Sequence, residues 1–322
     1  MSSGTRVKEF KLFKALPETC QIEIFNHLNI QEQSNLARAD QFCYQLFSNH
    51  IYAQKLIMLV AHGDEAGASS LLERFPNLSL ERGDVTDYSG RTFKNITAYE
   101  YAYWARDWHM LDMLEAHMSP EQKTKMLQKI DAIEQHGLTY TTQTGETKTS
   151  KHFSLQPLID QYNAYLAVYA RWNATPQTAS DDDLDRAWLD IGLEQRNLPA
   201  YVIQEYCRPD RSFHPRPEFS EPNLPRSFNV YKYWAGTTVP CFPLDREPDF
   251  HLGLHFSLLR GLGGGRGVVT CIAGRLRTRA CASHDLAAVC HLDVVSNVKV
   301  TQSRDSLIMR GAEDRAVIGA SV

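Results

Sequence analysis

Residues 16–46, LPETCQIEIFNHLNIQEQSNLARADQFCYQL, hold the pattern that decides how the N-terminal part of the chain folds. Pro17 fixes its own backbone φ and favours the first turn of a helix. The apolar residues after it follow the i, i+4, i+5, i+8 spacing of one helical face, and a second set follows the polar break at residues 29–33. The stretch predicts two short amphipathic helices, whose apolar positions are Cys20, Ile24, Phe25 and Leu28, then Leu36, Ala39, Cys43 and Leu46.

Two helices of this length are too small to bury their apolar faces against each other alone. One interpretation is an N-terminal helical hairpin that docks on the rest of its own domain. The other is a module whose apolar face binds a partner protein. The exposure of Ile24 and Leu28 distinguishes the two interpretations, because only a docking module leaves them accessible.

The same residues resemble an F-box, the module that binds the Skp-type adaptor of Skp–cullin–F-box ubiquitin ligases. The opening LPE at residues 16–18 is similar to the Leu-Pro-x-Glu/Asp of that family. Ile24-Phe25 is similar to its central Ile-Leu pair, and Leu28 to the leucine that closes its first helix. The resemblance implies that the adaptor is contacted by Leu16, Pro17, Ile24, Phe25, Leu28 and Leu36.

Glu32 stands where aspartate is usual in an F-box. Three positions depart from the usual pattern: Cys20 and Gln33 replace aliphatic residues, and Cys43 replaces an aromatic residue. These differences bear on the affinity for the adaptor. The resemblance covers about a tenth of the chain, so the remaining residues must be interpreted separately.

The composition is that of a soluble globular protein. The chain has 322 residues, of which 43% are hydrophobic, so it can form one large domain or two ordinary ones. A net charge of -4 argues against nucleic acid as the main partner. No secretion leader or membrane-spanning run is visible. Seven scattered cysteines are typical of reduced thiols in a cytosol.

Residues 51–118 predict two helix pairs. Residues 51–63 and 64–75 form the first pair, with Asp64 as N-cap, and residues 97–107 and 107–118 form the second. Aligning Asp64 with Trp108 gives a repeat of roughly 43 residues, which resembles a degenerate ankyrin repeat with a lengthened loop at residues 76–96. Two repeats do not suffice for stability, so neighbouring helices must cap them.

The remaining segments differ in character. A capping box at Ser119-Pro120-Glu121-Gln122 starts a helix that runs to His136, and residues 138–152 form a loop or small hairpin. Prolines concentrate from residue 199 to 249, so we expect an extended segment over the helices. In residues 250–322 we expect two strands joined by a glycine-rich turn, a short helix at 284–293, a strand or helix at 293–302, and a frayed end.

Several stretches resemble Legionella type IV secreted effectors that carry ankyrin-like repeats. They are GRTFKNITAYEYAYWARDWHM (residues 90–110), LPAYVIQEYCRPDRSFHPRPEF (198–219), NLPRSF (223–228) and ASHDLAAVCHLDVV (282–295). This resemblance implies a bacterial protein that is delivered into a eukaryotic cytosol, where an F-box would meet the ligase of the host.

Phosphate and metal sites are disfavoured. Residues 261–267, GLGGGRG, carry Arg266 where Gly-x-Gly-x-x-Gly requires glycine, so a flexible turn is favoured. His251 and His255 precede several cysteines, but zinc ligands usually come as close pairs. Cys290 and His291 are adjacent, and on a helix they point about 100° apart. We expect neither a metal nor a cofactor.

One local arrangement could support a nucleophilic cysteine. Cys281 lies three residues before His284 and four before Asp285, but no recognisable nucleophile turn surrounds it. A small buried cysteine is the favoured interpretation.

A dense aromatic group lies in the second helix pair. Tyr101, Trp104 and Trp108 share one helical face, which predicts a core position. Tyr99, Tyr103 and Asp107 share another face, and exposed aromatic side chains there would be good anchors for a partner.

Together these patterns predict a mainly α-helical protein with no enzymatic activity of its own. An F-box subunit would dock on the Skp-type adaptor and cullin of a ligase and present a protein target for ubiquitination. The alternatives are a scaffold or inhibitor that binds a host protein through its helical body, and an unfamiliar enzyme in residues 195–322. The expected parts are an F-box-like module (12–50), an ankyrin-like helical body (51–196), a proline-rich extended segment (197–249), a small mixed α/β region (250–310) and a tail (311–322).

Overall fold

The structure, a computed structural model, describes residues 12–28, 30–39, 41–175, 181–232, 236–241, 256–261, 268–271 and 278–319. Helices predominate in these ranges, which confirms the mainly α fold class. The chain begins with α1 (Glu18–His27), α2 (Ile30–Ala37) and α3 (Gln41–Ala61).

The second predicted N-terminal helix is divided between α2 and α3. A turn closes α2, in which the Ala39 N–H donates to the Leu36 carbonyl. Residues 41–61 contain neither proline nor glycine, so α3 continues without a break through the segment predicted to be a separate helix. One helix of 21 residues therefore joins the N-terminal helices to the rest of the protein.

Two helix pairs follow and stack on each other. α3 pairs with α4 (Glu65–Arg74), and α5 (Ala98–Ala105) pairs with α6 (Trp108–Ala116). α3 packs against α5, and α4 packs against α6. Thr97 caps α5 with a capping box, as its position before the apolar run predicts.

The connections inside the two pairs have the same conformation. Gly63 and Arg106 adopt the left-handed region, at φ 70° and 65°. The next residue, Asp64 or Asp107, caps the following helix by accepting a hydrogen bond from the backbone N–H three positions on. Asp107 lies 43 residues after Asp64, so the predicted alignment of Asp64 with Trp108 was one residue out.

The segment predicted as a loop at residues 76–96 instead holds a 3₁₀ turn (Pro76–Leu80) and two strands. Val85, Phe93 and Ile96 are buried on the inward face of these strands, which is why the segment pairs into a hairpin. A second hairpin completes an antiparallel sheet of order β1-β2-β3-β4. Its strands are β1 (Gly83–Thr86), β2 (Thr92–Ile96), β3 (Leu138–Thr141) and β4 (Thr147–Ser150).

Further helices cover the stacked pairs. The capping box at Ser119 is present, with Gln122 as its reciprocal partner. After the helices, residues 208–228 form neither helix nor strand, and a second sheet of order β6-β5-β8-β7 follows. These elements are α7 (Pro120–His136), α8 (Gln156–Ala174), α9 (Asp181–Gln195), α10 (Ala200–Cys207), β5 (Asn229–Lys232), β6 (Thr237–Pro240), β7 (Phe256–Leu259) and β8 (Val268–Cys271).

The C-terminal part is a single long helix, α11 (Thr278–Gly319), and not the short helix, second element and frayed tail that were expected. It packs along α7, α8 and α6, and these contacts explain why it stays helical beyond residue 293. No helix in the described ranges, α11 included, is long and apolar enough to cross a membrane.

One continuous hydrophobic core runs from Ala53 in α3 to Leu307 in α11. It includes residues from the expected helical body (51–196), the proline-rich segment (197–249) and the mixed C-terminal region (250–310), so these three segments pack as one body. The N-terminal helices enclose a second, separate core.

Candidate functional site

The N-terminal module (residues 12–50) folds around its own small core. Phe25 on α1 is fully buried and stacks on Phe47 of α3, with ring centroids 4.2 Å apart. Ala37 and Cys43 complete the buried set. Because this core serves only α1, α2 and the first half of α3, the outward side of the module is left available for other contacts.

Two buried glutamines join the parts of the N-terminal module. The Gln21 side-chain amide donates to the Phe13 carbonyl over 2.8 Å, and the Gln33 amide donates to the Phe25 carbonyl over 3.1 Å. Phe25 lies in the last turn of α1, where carbonyl groups lack partners within the helix. The Phe25 carbonyl also accepts from the Leu28 N–H over 3.1 Å, so Gln33, which departs from the usual F-box pattern, adds a second hydrogen bond that ties α2 to the end of α1.

An apolar surface remains exposed along one side of α1. Pro17, Cys20, Ile24 and Leu28 follow each other at intervals of three and four, so they share one helical face. Ile24 is 41% exposed, Leu16 just before the helix is 40% exposed, and Leu28 is half-buried. We call Leu16, Pro17, Cys20, Ile24 and Leu28 the docking stripe.

Two of the six predicted adaptor contacts lie elsewhere. Phe25 is 0% exposed, so the expectation that it inserts into a partner is wrong, and its role is to hold the module together. Leu36 is half-buried against the same core. The apolar spacing puts both residues on the apolar face of a helix. It does not distinguish the side chains that pack inside the module from those that stay exposed on its surface.

The predicted partner surface at Tyr99, Tyr103 and Asp107 is buried, which corrects the expectation of exposure. The Tyr99 hydroxyl donates to the Glu115 carboxylate over 2.7 Å, and the Tyr103 hydroxyl donates to Glu134 over 2.8 Å. Burial raises the pKa of both tyrosines well above the ordinary value. Both faces of α5 are covered, because α6 and α7 pack on the face that carries Tyr99 and Tyr103.

Asp107 has a second partner besides the helix that it caps. The Arg226 guanidinium, from the irregular segment at 208–228, donates to both Asp107 carboxylate oxygens over 2.7 and 3.0 Å. The same guanidinium contacts Glu65 at 2.8 Å and the Gln204 side-chain oxygen at 2.9 Å. Arg226 thus joins the first turns of α4 and α6 to α10, and the motif NLPRSF owes its place in the fold to this contact.

A second buried ion network fixes the start of the same segment. Arg208 makes two hydrogen bonds with Asp210, over 2.9 and 2.8 Å. Arg211 donates to Glu205 over 2.6 Å and to Glu221 over 2.7 Å. All of these partners lie within residues 205–221, but the sequence alone does not indicate which arginine pairs with which carboxylate.

The candidate nucleophile arrangement is not assembled in the structure. The Asp285 carboxylate accepts hydrogen bonds from the Arg260 N–H over 3.1 Å and the Tyr162 hydroxyl over 3.4 Å. The His284 ring stacks on His214 with centroids 3.9 Å apart. Among the described residues, no hydrogen bond joins Cys281 to either side chain, so the three groups do not form a catalytic unit.

The other weighed sites lie in part outside the described residues. His251, His255 and residues 262–267 of the glycine-rich run belong to the undescribed ranges. Within the described part of the chain, no three His, Cys, Asp or Glu side chains are close enough to hold a metal ion. Burial raises the pKa of the Cys207 and Cys241 thiols, to about 12 for Cys241, so neither is an activated nucleophile.

The buried Asp285 predicts a specific pH dependence of stability. Burial raises its pKa to about 7, against the opposing hydrogen bonds from the Arg260 and Gly261 N–H groups and Tyr162. Between about pH 4 and 7 the unfolded chain loses this proton while the folded chain keeps it, so the free energy of unfolding falls as pH rises, by a few kcal/mol.

Asp285→Asn cannot ionise and keeps an oxygen that accepts the same hydrogen bonds. We expect this variant to gain stability relative to the wild type at about pH 8 and to gain little at about pH 4. Urea unfolding of both proteins across this range measures the difference. An equal dependence on pH in the two proteins would contradict the assignment.

Comparisons with known proteins place the chain among relatives. Residues 157–307, from the first turn of α8 into α11, match the family model described as the CBUA0006 C-terminal domain. The chain is 36% identical over 276 residues to the protein "Uncharacterized protein CBUA0006" of Coxiella burnetii (strain RSA 493 / Nine Mile phase I). The match covers 80% of this chain and 76% of that protein. No solved structure matches the chain. At this identity and coverage, the chain belongs to the CBUA0006 family.

Proposed function

We propose that the chain is a substrate-recruiting F-box subunit, which docks on the Skp-type adaptor of a host Skp–cullin–F-box ubiquitin ligase. The adaptor contacts the docking stripe, and the helical body holds a protein target for ubiquitination by the other subunits. The observation that supports this proposal best is the exposure of Ile24 on a module that has its own core. A hairpin docked on its own domain would bury this residue.

The energetics favour a protein partner for the docking stripe. Fully burying an exposed aliphatic side chain contributes about 1.5 to 3 kcal/mol, and Leu16 and Ile24 are still 40% and 41% exposed, so each would add roughly 1 kcal/mol on docking. Its residues lie on one side of a short helix, an arrangement that suits insertion into a hydrophobic groove. Among the described residues, the hydrophobic core of the body includes none of the stripe residues, which argues against packing of the stripe within the chain.

Two isoleucines in α1 make a matched test of the proposal. Ile24 is 41% exposed on the docking stripe, whereas Ile22 is 37% exposed on the other side of the helix. We expect Ile24→Asp to weaken binding of purified Skp-type adaptor at least about 30-fold, because it buries a charge in the groove, and Ile22→Asp to have little effect. Calorimetric titration of the full chain measures both affinities.

The Leu16→Ala/Pro17→Ala double variant tests the entrance of the same stripe, and we expect it to lose adaptor and cullin in pull-downs. Equal binding by the Ile22→Asp and Ile24→Asp variants would refute the F-box assignment. A folded wild type that binds no adaptor would favour the alternative of a scaffold or inhibitor of a host protein.

The proposal extends to the place of action. The relative from Coxiella burnetii is consistent with a bacterial source. The cysteines whose side chains the structure describes are all free thiols, as a reducing cytosol would leave them. We therefore place the action of the protein in the cytosol of a host cell, after secretion by a bacterium, with no catalytic role of its own.

A further inference from the structure

Strand β4 leaves one edge of the first sheet open. The turn before it has three residues, 143–145, and is closed by the Thr142 N–H donating to the Glu146 carbonyl. Hydrogen-bonded and non-hydrogen-bonded pairs alternate along an antiparallel hairpin. Lys148 and Ser150 are therefore the hydrogen-bonded partners of β3, and the N–H and C=O groups of Thr147 and Thr149 point away from it.

The side chains agree with this assignment. Thr149 and Thr139 face each other in a non-hydrogen-bonded pair, where side chains approach most closely, and their hydroxyl groups are 2.9 Å apart. Within the described part of the chain, β4 is the last strand of its sheet. Two residues on this edge thus present backbone donors and acceptors at the spacing of a neighbouring strand.

A cleft adjoins this edge. It has a volume of about 450 Å³ and lies between the sheet and the ends of α8 and α9. The β4 side chains that line it are Lys148 and Ser150, which alternate with the outward threonines. An added strand would therefore place every second side chain over the cleft. Hydroxyl and amide groups dominate the lining, among them Thr142, Gln143, Thr144, Ser150, Ser154 and Asn197.

The basic side chains of the cleft are already paired or uncharged. Lys148 contacts Glu146 at 3.1 Å, and Arg91 lies 3.8 Å from Asp87. His152 contacts Glu134 at 3.0 Å, and burial lowers the pKa of its imidazole, which favours the neutral form. These pairings leave no strong positive field for a phosphorylated or acidic segment, so uncharged polar side chains fit the cleft better.

We propose that the open edge of β4 binds an extended, uncharged polar segment of the protein target, which adds a fifth strand to the sheet. The inference deepens the proposed function, since it names where the target is held. Backbone hydrogen bonds to Thr147 and Thr149 supply affinity, and the hydroxyl-lined cleft selects side chains. A second copy of the chain is a poorer occupant. If two β4 strands paired antiparallel through the backbone groups of Thr147 and Thr149, Lys148 of one copy would lie directly opposite Lys148 of the other, and like charges in that position are destabilising.

The test uses a substitution at an outward position. Thr149→Pro removes an N–H that β3 does not use and puts a ring in the path of the added strand, whereas proline is tolerated at such edge positions. Thr149→Ala is the matched control, since it loses the same hydroxyl and keeps the N–H. The probe is a displayed library of random peptides of about ten residues, the upper length of a typical strand, selected on the full chain.

We expect enriched peptides to be uncharged and polar, to bind the Thr149→Ala protein like the wild type, and to lose at least about tenfold in affinity on Thr149→Pro. Amide exchange should slow at residues 147 and 149 when such a peptide is added. The inference is overturned if no peptide is enriched, if enriched peptides bind the proline variant equally, or if sedimentation shows a dimer that Thr149→Pro dissociates. Adaptor binding should survive Thr149→Pro, and peptide binding should survive Ile24→Asp, so a failure of either proposal can be told from a failure of the other.

Discussion

Arg226→Met is expected to lower the free energy of unfolding by about 3 to 5 kcal/mol, because it leaves the buried Asp107 carboxylate and the partly exposed Glu65 carboxylate without their cation. Asp107 is 4% exposed and Glu65 lies at the same guanidinium. Methionine keeps most of the volume of arginine, so the loss reports on charge and hydrogen bonding. Urea unfolding followed by circular dichroism measures it, and faster proteolysis within residues 208–228 should accompany it.

The control for this experiment is the same substitution at an exposed ion pair. Arg304 contacts Asp131 at 2.7 Å, but the two side chains are 35% and 41% exposed. Such pairs contribute about 0 to 1 kcal/mol, so Arg304→Met should change stability little. Equal losses for the two variants would mean that Arg226 does not hold the irregular segment on the helices.

Phe25→Ala is expected to destabilise the N-terminal module by about 3 to 5 kcal/mol, since it removes the largest contact in a core with few other members. The docking stripe would lose its shape, and adaptor binding would disappear without any change in the stripe residues. Because the module has a separate core, amide exchange should accelerate in residues 18–50 and remain unchanged in the body.

Phe42→Ala is the control within the same module, because Phe42 is 36% exposed and contributes little to the core. It should leave both amide exchange and the unfolding transition near the wild type. If Phe25→Ala instead lowered the stability of the whole chain in one transition, the two cores would be one cooperative unit.

Features set by residues close in sequence could be predicted. Thr97 and Ser119 begin helices because their side chains accept from a backbone N–H three residues on, and both capping boxes are present. Asp64 caps its helix for the same reason. The apolar spacing in residues 20–28 likewise located α1. The proline-rich segment expected to be extended at residues 197–249 is irregular only at 208–228, because its described residues also form α10, β5 and β6.

Features that depend on distant packing could not be predicted. Tyr103 is buried because Glu134, 31 residues later, lies over its hydroxyl. Arg226 and Asp107 meet across 119 residues, and no pattern inside either segment specifies the other. Helix α11 was interpreted as several pieces because its stability comes from the helices that it packs along, and not from its own periodicity.

In the candidate site, too, some features could be predicted from the sequence and others could not. The apolar spacing of α1 identified Ile24 and Leu28, but it could not separate them from Phe25, which differs only in the edge of the face that it occupies. The open edge of β4 was not predicted at all, since the hairpin was placed only as a loop or small hairpin at residues 138–152. Its outward groups follow from the pairing register, which the sequence alone does not fix.

Helix α3 sets the orientation of the docking stripe relative to the body. Ile51 contacts the core of the N-terminal module and Tyr52 contacts the main core, so the two cores meet at one peptide bond of a continuous helix. A residue added there would turn the docking stripe by about 100° and advance it by about 1.5 Å relative to the body. Seven added residues would restore its heading to within about 20°. Insertions or deletions in α3 therefore preserve the direction of the docking stripe relative to the body only when their length is close to a whole number of helical turns.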